Sequence, residues 1–137
     1  MSKYAALFKE YLNKEDAPFY DLDERAVRMV TDGDNFKNIS VYALFDKDGD
    51  NNVQYRCADI MNFKDNEAAA LVACNEVNKK FRWVKFYLND EAEIVAETDA
   101  YLSEENCGDE CFSLMLHMFS IIDKAYVEFM KAKIAAM

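Results

Sequence analysis

The chain has few of the residues that interrupt secondary structure, and histidine is scarce as well. Its 137 residues include three glycines, one proline and one histidine. So few glycines and prolines predict short connections, or connections built from Asn and Asp. The sequence also lacks a G-x-S-x-G turn, a P-loop and a dinucleotide fingerprint, which are common signatures of enzymes. We therefore expect no catalytic residue, no enzyme activity and no cofactor.

Basic residues and long apolar runs are scarce as well. Lys and Arg total 16 against 26 Asp and Glu, so the net charge is −10. Nucleic acid is a poor partner at this charge, because phosphates bind clustered Lys and Arg. No apolar run approaches the roughly 20 residues of a membrane span, and charges interrupt the N-terminal stretch, which argues against a signal peptide. Four cysteines without a secretion signal predict free thiols in a reducing cytoplasm.

The hydrophobic periodicity indicates one α+β domain over residues 1–137. A helix is expected over 3–14 with Ser2 as its N-cap, a second over 66–80 with Asp65, and a third over 107–134 with Asn106. Alternating apolar residues predict strands at 25–30, 38–45, 53–60, 82–88 and 92–100. The order α-β-β-β-α-β-β-α predicts an antiparallel sheet with the long C-terminal helix packed on it.

The last two predicted strands should form a hairpin, and its register can be argued. A two-residue turn would mix core and solvent faces, because a one-residue slip moves every side chain to the other face. A three-residue loop, 89–91, instead pairs Phe86 with Ile94, Val84 with Ala96 and Trp83 with Glu97. We therefore expect a loop with an odd number of residues.

The stretch "DKDGDNN", residues 46–52, suggests a calcium loop, because three aspartates alternate around a glycine. An EF-hand needs a glycine at loop position 6 and a bidentate Glu at position 12, between two helices. No register through these residues meets both conditions, and the flanking segments alternate as strands do. We interpret the stretch as a turn between two strands.

Cys107, Cys111 and His117 could be imagined as metal ligands. Zinc sites usually combine two ligand pairs, and the second pair is missing here. The simpler interpretation is two semi-buried thiols and a solvated histidine.

A partner-binding surface is predicted from two apolar features. Trp83 and Tyr87 share one face of the predicted strand 82–88, which is a binding surface unless a second layer covers it. The middle of the last helix is apolar almost all round, so either the sheet alone or the sheet and a second subunit must cover it. The predicted partner-binding residues are Trp83, Tyr87, Phe112, Met115 and Met118, and a homodimer is one expected arrangement.

The region from Asn75 to Tyr126, which contains "FRWVKFYLND", resembles the YbjN-like family of small bacterial proteins. Asn78, Trp83, Phe86, Tyr87 and Leu88 are the positions that carry the resemblance. It implies the fold of type III secretion chaperones and a role in sensory transduction regulation. Those chaperones are small, acidic, usually dimeric cytoplasmic proteins that hold a partner's segment against apolar patches and a strand edge.

The sequence therefore favours a non-enzymatic module of the bacterial cytoplasm that binds a protein or peptide. The alternative is a domain that senses a small ligand or a metal, in a pocket between the sheet and the last helix or at Cys107 and Cys111.

Overall fold

The computed structural model describes residues 2–46 and 51–137. Within them the helices are α1 (Lys3–Lys14), α2 (Glu67–Lys80) and α3 (Cys107–Ala135). The strands are β1 (Tyr20–Asp23), β2 (Ala26–Thr31), β3 (Ile39–Phe45), β4 (Asn52–Cys57), β5 (Lys85–Leu88) and β6 (Ile94–Tyr101). All strand pairs are antiparallel, in the order β1-β2-β3-β4-β6-β5.

The strand β1 was not predicted. The sequence order places three strands between the first two helices, whereas the structure has four. Pro18 ends the helical period, and the residues after it then pair with β2, Tyr20 opposite Arg28. The alternation in "YDLD" was the available signal, but all four residues are exposed, so no buried face marked them as a strand.

The helix boundaries follow their caps. The Ser2 hydroxyl accepts a bond from the Ala5 N–H, as predicted. The N-cap of α2 is Asn66, not Asp65, since the Asn66 side chain accepts from the Ala69 N–H at 3.0 Å. Asn106 precedes α3 as predicted, although its side chain makes no capping bond.

The β5–β6 hairpin keeps the predicted faces but not the predicted pairs. Phe86 lies opposite Ala96 and not Ile94, because the loop spans residues 89–93. The Asn89 side chain holds this longer loop by accepting from the N–H groups of Glu91 and Glu93. The loop has an odd number of residues, so the core face stays the core face.

The three helices lie on one face of the sheet, and the core is between them. Phe8 of α1, Val77 of α2 and Phe129 of α3 are buried with the inward residues of the strands. Asp123 fixes α3 to the loop between β2 and β3, because its carboxylate accepts from the N–H groups of Asp34, Asn35 and Phe36. Burial acts to raise the pKa of Asp123, but these three bonds, with one from the Asn35 side chain, together hold that pKa below its usual value.

The turn predicted for "DKDGDNN" lies largely outside the described residues. The segments on either side of it are β3 and β4, which pair with each other antiparallel. The flanks are therefore strands, as predicted.

Candidate functional site

The face of the sheet opposite the helices is covered by no helix or strand of the described residues. Burial alternates along β3, where Val41 and Ala43 are buried and their neighbours Ser40 and Tyr42 are half-buried. We call this surface the open face. Register pairs place a row of six residues across it: Tyr20, Arg28, Tyr42, Arg56, Glu97 and Lys85.

Arginines and tyrosines on the open face support one another. The Arg28 guanidinium lies 4.8 Å from the centre of the Tyr20 ring, which is within the range of a cation–π contact. The Arg28 Nε–H donates to Ser40 Oγ at 2.7 Å, which fixes the direction of the guanidinium. The Tyr20 side chain remains 56% exposed, so its ring is presented to solvent in an ordered position.

Tyr87 lies at the other end of the open face. Its hydroxyl donates to Glu97 Oε1 at 2.7 Å, and Arg56 Nε lies 3.7 Å from the same oxygen. The bond to Glu97, followed by burial, raises the pKa of Tyr87. Tyr87 is 39% exposed, and no helix or strand of the described residues covers it.

Trp83 does not share this face with Tyr87. Its φ is 70°, and β5 begins two residues later, so the expected strand 82–88 is shorter at its start. The Trp83 ring contacts the Tyr55 ring at 5.8 Å and stacks on the His117 ring at 5.7 Å, on the side of the sheet that carries α3. Positive φ at a bulky residue costs about 1–3 kcal/mol, so other contacts must hold Trp83 in place.

Two hydrogen bonds fix Trp83 in this conformation. The Trp83 indole Nε1–H donates to the Asp99 carbonyl at 3.2 Å, and the Thr98 hydroxyl donates to the Trp83 carbonyl at 2.9 Å. Both partners belong to the part of β6 beyond the end of β5. The Trp83 side chain therefore lies against the free edge of β6.

The three predicted residues on α3 are less accessible. Met115 and Met118 are fully buried, and Phe112 is half-buried with its ring 5.9 Å from that of Tyr11. The sheet, α1 and α2 together cover the wide apolar surface of α3. A second subunit is not needed for that purpose.

The cysteines are buried, whereas the single histidine, His117, is exposed on α3 and stacks on Trp83. All four cysteines are free and buried. Burial raises the pKa of the Cys107 thiol to about 11 and also raises that of Cys111, so both stay protonated near neutral pH. Tyr55 donates its hydroxyl to the Cys111 carbonyl at 3.1 Å. Among residues 2–46 and 51–137, no three His, Cys, Asp or Glu side chains are grouped to hold a metal ion.

The two edges of the sheet differ. The Asn78 amide donates to the Phe86 carbonyl at 3.0 Å and accepts from the Phe86 N–H at 2.8 Å, so it occupies the outer edge of β5 as a neighbouring strand would. In the sequence, Asn78 is marked only as one of the positions that carry the family resemblance. At the opposite edge, every residue of β1 is exposed.

A groove of about 880 Å³ separates α2 from the end of α3. Five alanines are among the residues that line it, and the Lys80 ammonium of α2 lies 2.7 Å from the Glu128 carboxylate of α3. The expected pocket lay between the sheet and the last helix, so this groove is in a different place.

The comparisons with known proteins agree with this architecture. A chain in the crystal structure of the ExsC–ExsE complex is 16% identical, with a TM-score of 0.57 over 91% of this chain and 92% of that chain. The crystal structure of YbjN from E. coli is 13% identical, with a TM-score of 0.61 over 90% of this chain and 88% of that chain. The fold is thus α+β and type III secretion chaperone-like, as predicted.

The family follows from the sequence itself. The profile of the YbjN family, described as "Putative bacterial sensory transduction regulator", matches residues 10–130. The chain belongs to this family. No curated protein sequence matches it, and none of the helices in the described residues could cross a membrane.

Proposed function

We propose that the chain is a non-enzymatic module of the bacterial cytoplasm that binds a protein partner on the open face of its sheet. The observation that carries the proposal is the uncovered face with its row of ordered tyrosines and arginines. Tyrosine and arginine are, with tryptophan, the residues enriched at the energetic centres of protein interfaces. The family description and the fold shared with a chain of a protein–protein complex support a binding role.

The central row of the open face differs in charge from the chain as a whole, because it holds three basic side chains and one acidic one. Arg28 and Arg56 stand in this row, whereas the whole chain has a net charge of −10. Both arginines are half-buried, and a guanidinium can donate hydrogen bonds to a carboxylate or stack on an aromatic ring. The partner surface that fits this face is therefore aromatic or apolar, with an acidic group opposite the arginines.

The test compares two variants with equally exposed sites. Tyr20→Asp alters the open face at a residue that is 56% exposed, and Leu71→Asp alters α2 at a residue that is 59% exposed. Each variant is tagged, expressed in the native host and captured, and the bound proteins are quantified by mass spectrometry. We expect Tyr20→Asp to lose a bound protein that Leu71→Asp retains, with both variants melting near the wild-type temperature.

Equal retention by both variants, or loss with Leu71→Asp alone, would remove the open face from the proposal.

The homodimer expected from α3 has lost its main support, because other elements of the same chain cover that helix. Light scattering distinguishes a monomer from a homodimer, because the monomer has a mass of 15.9 kDa and a dimer would have twice that mass.

A small-ligand sensor is the second candidate, and the groove between α2 and α3 favours it. Its volume falls within the range of ligand sites, about 300–1,000 Å³. The test is a thermal-shift screen of metabolites, since a ligand at 100 times its Kd adds about 2.7 kcal/mol to the free energy of unfolding. A shift that disappears when Ala132→Phe narrows the groove would support this function, and the absence of any shift would count against it.

A further inference from the structure

The groove between α2 and α3 is bounded by two antiparallel helices. Lys80, at the end of α2, is bonded to Glu128 of α3. Asn66, just before α2, shares a smaller cavity with Ala136 and Met137, which follow α3. The end of α2 therefore faces the middle of α3, and the start of α2 faces the end of α3.

This arrangement makes one end of the groove charged and the other end apolar. The charged residues of the lining all lie toward the Lys80 end: Glu76, Lys79, Lys80, Glu128 and Lys131. Toward the other end the lining is made of alanine and valine: Ala69, Val72, Ala73, Ala132, Ala135 and Ala136. A ligand that matches both ends is itself charged at one end and apolar along the rest.

The lining also limits the chemistry of the apolar part. The described residues that line the groove include no aromatic ring and no neutral polar side chain. Nucleobases and sugars depend on such groups for stacking and for hydrogen bonds, so they fit poorly here. From Ala69 to Lys80 the helix α2 is about 16 Å long. An extended alkyl chain can therefore lie along the groove and needs only apolar contact.

The charges at the polar end favour an anion. Lys79 is paired with Glu76 at 3.5 Å, and Lys80 is paired with Glu128 at 2.7 Å. Lys131 has no ion-pair partner in the described part of the chain. The bond from Lys80, with the charge of Lys131, holds the pKa of Glu128 below its usual value although burial acts in the opposite direction. One unpaired ammonium at this end matches one negative charge.

The two walls differ in charge from the chain as a whole. Residues 67–80 and 124–135, which form the walls, contain five Lys and three Glu, whereas the whole chain has a net charge of −10. An anion is therefore repelled by most of this protein and attracted by these two helices.

We propose that the groove binds one molecule of a free long-chain alkyl carboxylate, that is, a fatty acid. Its carboxylate lies at Lys131, and its alkyl chain follows the alanines toward Ala136, where burial of methylene groups stabilises the complex. This proposal rests on the second candidate function, because it names the class of ligand that the small-ligand sensor would bind.

The test is a titration of the ¹⁵N-labelled protein with dodecanoate, octanoate and dodecyltrimethylammonium, each below its micelle concentration. We expect dodecanoate to saturate at one molecule per chain and to shift the amides of Ala73 and Ala135. Octanoate should bind at least ~10-fold more weakly, because each buried methylene contributes about 4-fold. The cationic amphiphile should also bind more weakly, whereas non-specific attraction to a chain of net charge −10 would give the opposite order.

Two pairs of variants assign the two ends of the groove. Ala135→Phe fills the apolar end from an exposed position and should abolish saturable binding, whereas Ala68→Phe, exposed on α2 outside the lining, should leave it unchanged. Lys131→Gln should weaken dodecanoate about 2–5-fold and reduce its preference over the cationic amphiphile. Its control is Lys124→Gln, because Lys124 is exposed on the same helix and does not line the groove.

Stronger binding of the cationic amphiphile, equal binding of octanoate, binding that Ala135→Phe leaves unchanged, or no saturable binding of dodecanoate would each overturn the proposal. Capture of the wild type, but not of Ala135→Phe, by phosphatidylglycerol vesicles without binding of free dodecanoate would also overturn it, in favour of a membrane surface.

Failure of the fatty acid is distinguishable from failure of the sensor function. If dodecanoate does not bind but the metabolite screen finds a thermal shift that Ala132→Phe removes, the sensor function stands and only the fatty acid is wrong. None of these outcomes bears on the open face, which the comparison of Tyr20→Asp with Leu71→Asp tests separately.

Discussion

On the helix-covered face of the sheet, Ile39, Val41 and Ala43 are fully buried, whereas on the open face their neighbours Ser40 and Tyr42 stay partly exposed. The same strand thus contributes to the core on one face and presents ordered polar and aromatic groups on the other. The covered face should determine stability, and the open face should tolerate change. The binding role proposed for the open face is compatible with this tolerance.

The largest effect is expected in the core beneath α3. Phe129→Ala should reduce the free energy of unfolding by about 3–5 kcal/mol, because Phe129 is fully buried and its ring lies 5.4 Å from that of Phe86. The control Tyr101→Ala should change it by no more than about 0.5 kcal/mol, since Tyr101 is 78% exposed. Urea denaturation measures both, and similar losses would contradict the comparison.

Asn78 tests the closed edge of β5. Asn78→Ala should lower the free energy of unfolding by about 1–3 kcal/mol, because it leaves both backbone groups of Phe86 without their partner. Asn75→Ala is the matched control, since Asn75 is exposed on the same helix. Hydrogen exchange at the Phe86 amide should also become faster. Unchanged exchange would show that Asn78 does not protect this edge.

Asp123 should make the stability of the protein depend on pH. Asp123→Asn should cost about 1–2 kcal/mol at neutral pH, because three backbone N–H groups lose a charged acceptor. The folded pKa of Asp123 lies below its usual 3.8, so its contribution is complete above that pH and is lost as the pH falls through the lower, folded value. Wild type and variant should therefore converge in acid. A difference that persists at low pH would mean that charge is not the cause.

The smallest effect is expected on the open face. Tyr87→Phe removes only the hydroxyl that donates to Glu97, at a site that is 39% exposed. The free energy of unfolding should change by no more than about 0.5 kcal/mol. If thermal or urea unfolding shows a loss of stability comparable with that of Asn78→Ala, the open face contributes to the stability of the fold.

Local chemistry determines the features that the sequence predicted well. Helix periods, the Ser2 cap and the alternation within β3 depend on neighbouring residues alone, and each appears in the structure. The hairpin register was wrong because it depends on how the Asn89 side chain closes the loop. The strand β1 was not predicted because all four of its residues are exposed, so its sequence has no apolar face directed at the core.

The candidate site could be predicted only in part, because one backbone angle decides where Trp83 points. Alternation places Trp83 beside Tyr87, and it holds only while φ is negative and the chain is extended. At φ 70° the side chain turns to the helix side, where His117 and Asp99 hold it. Which face of the sheet stays uncovered is likewise a property of the topology, and no single strand encodes it.

Photo-crosslinking in cells tests the central claim most directly. A photoreactive amino acid replaces Tyr42 or Tyr87 on the open face and, as matched controls, Leu71 on α2 and Leu116 on α3, which are 59% and 50% exposed. The account predicts that irradiation joins the same discrete protein to the two open-face positions and not to the two helix positions. Adducts formed only from Leu71 or Leu116 would contradict it.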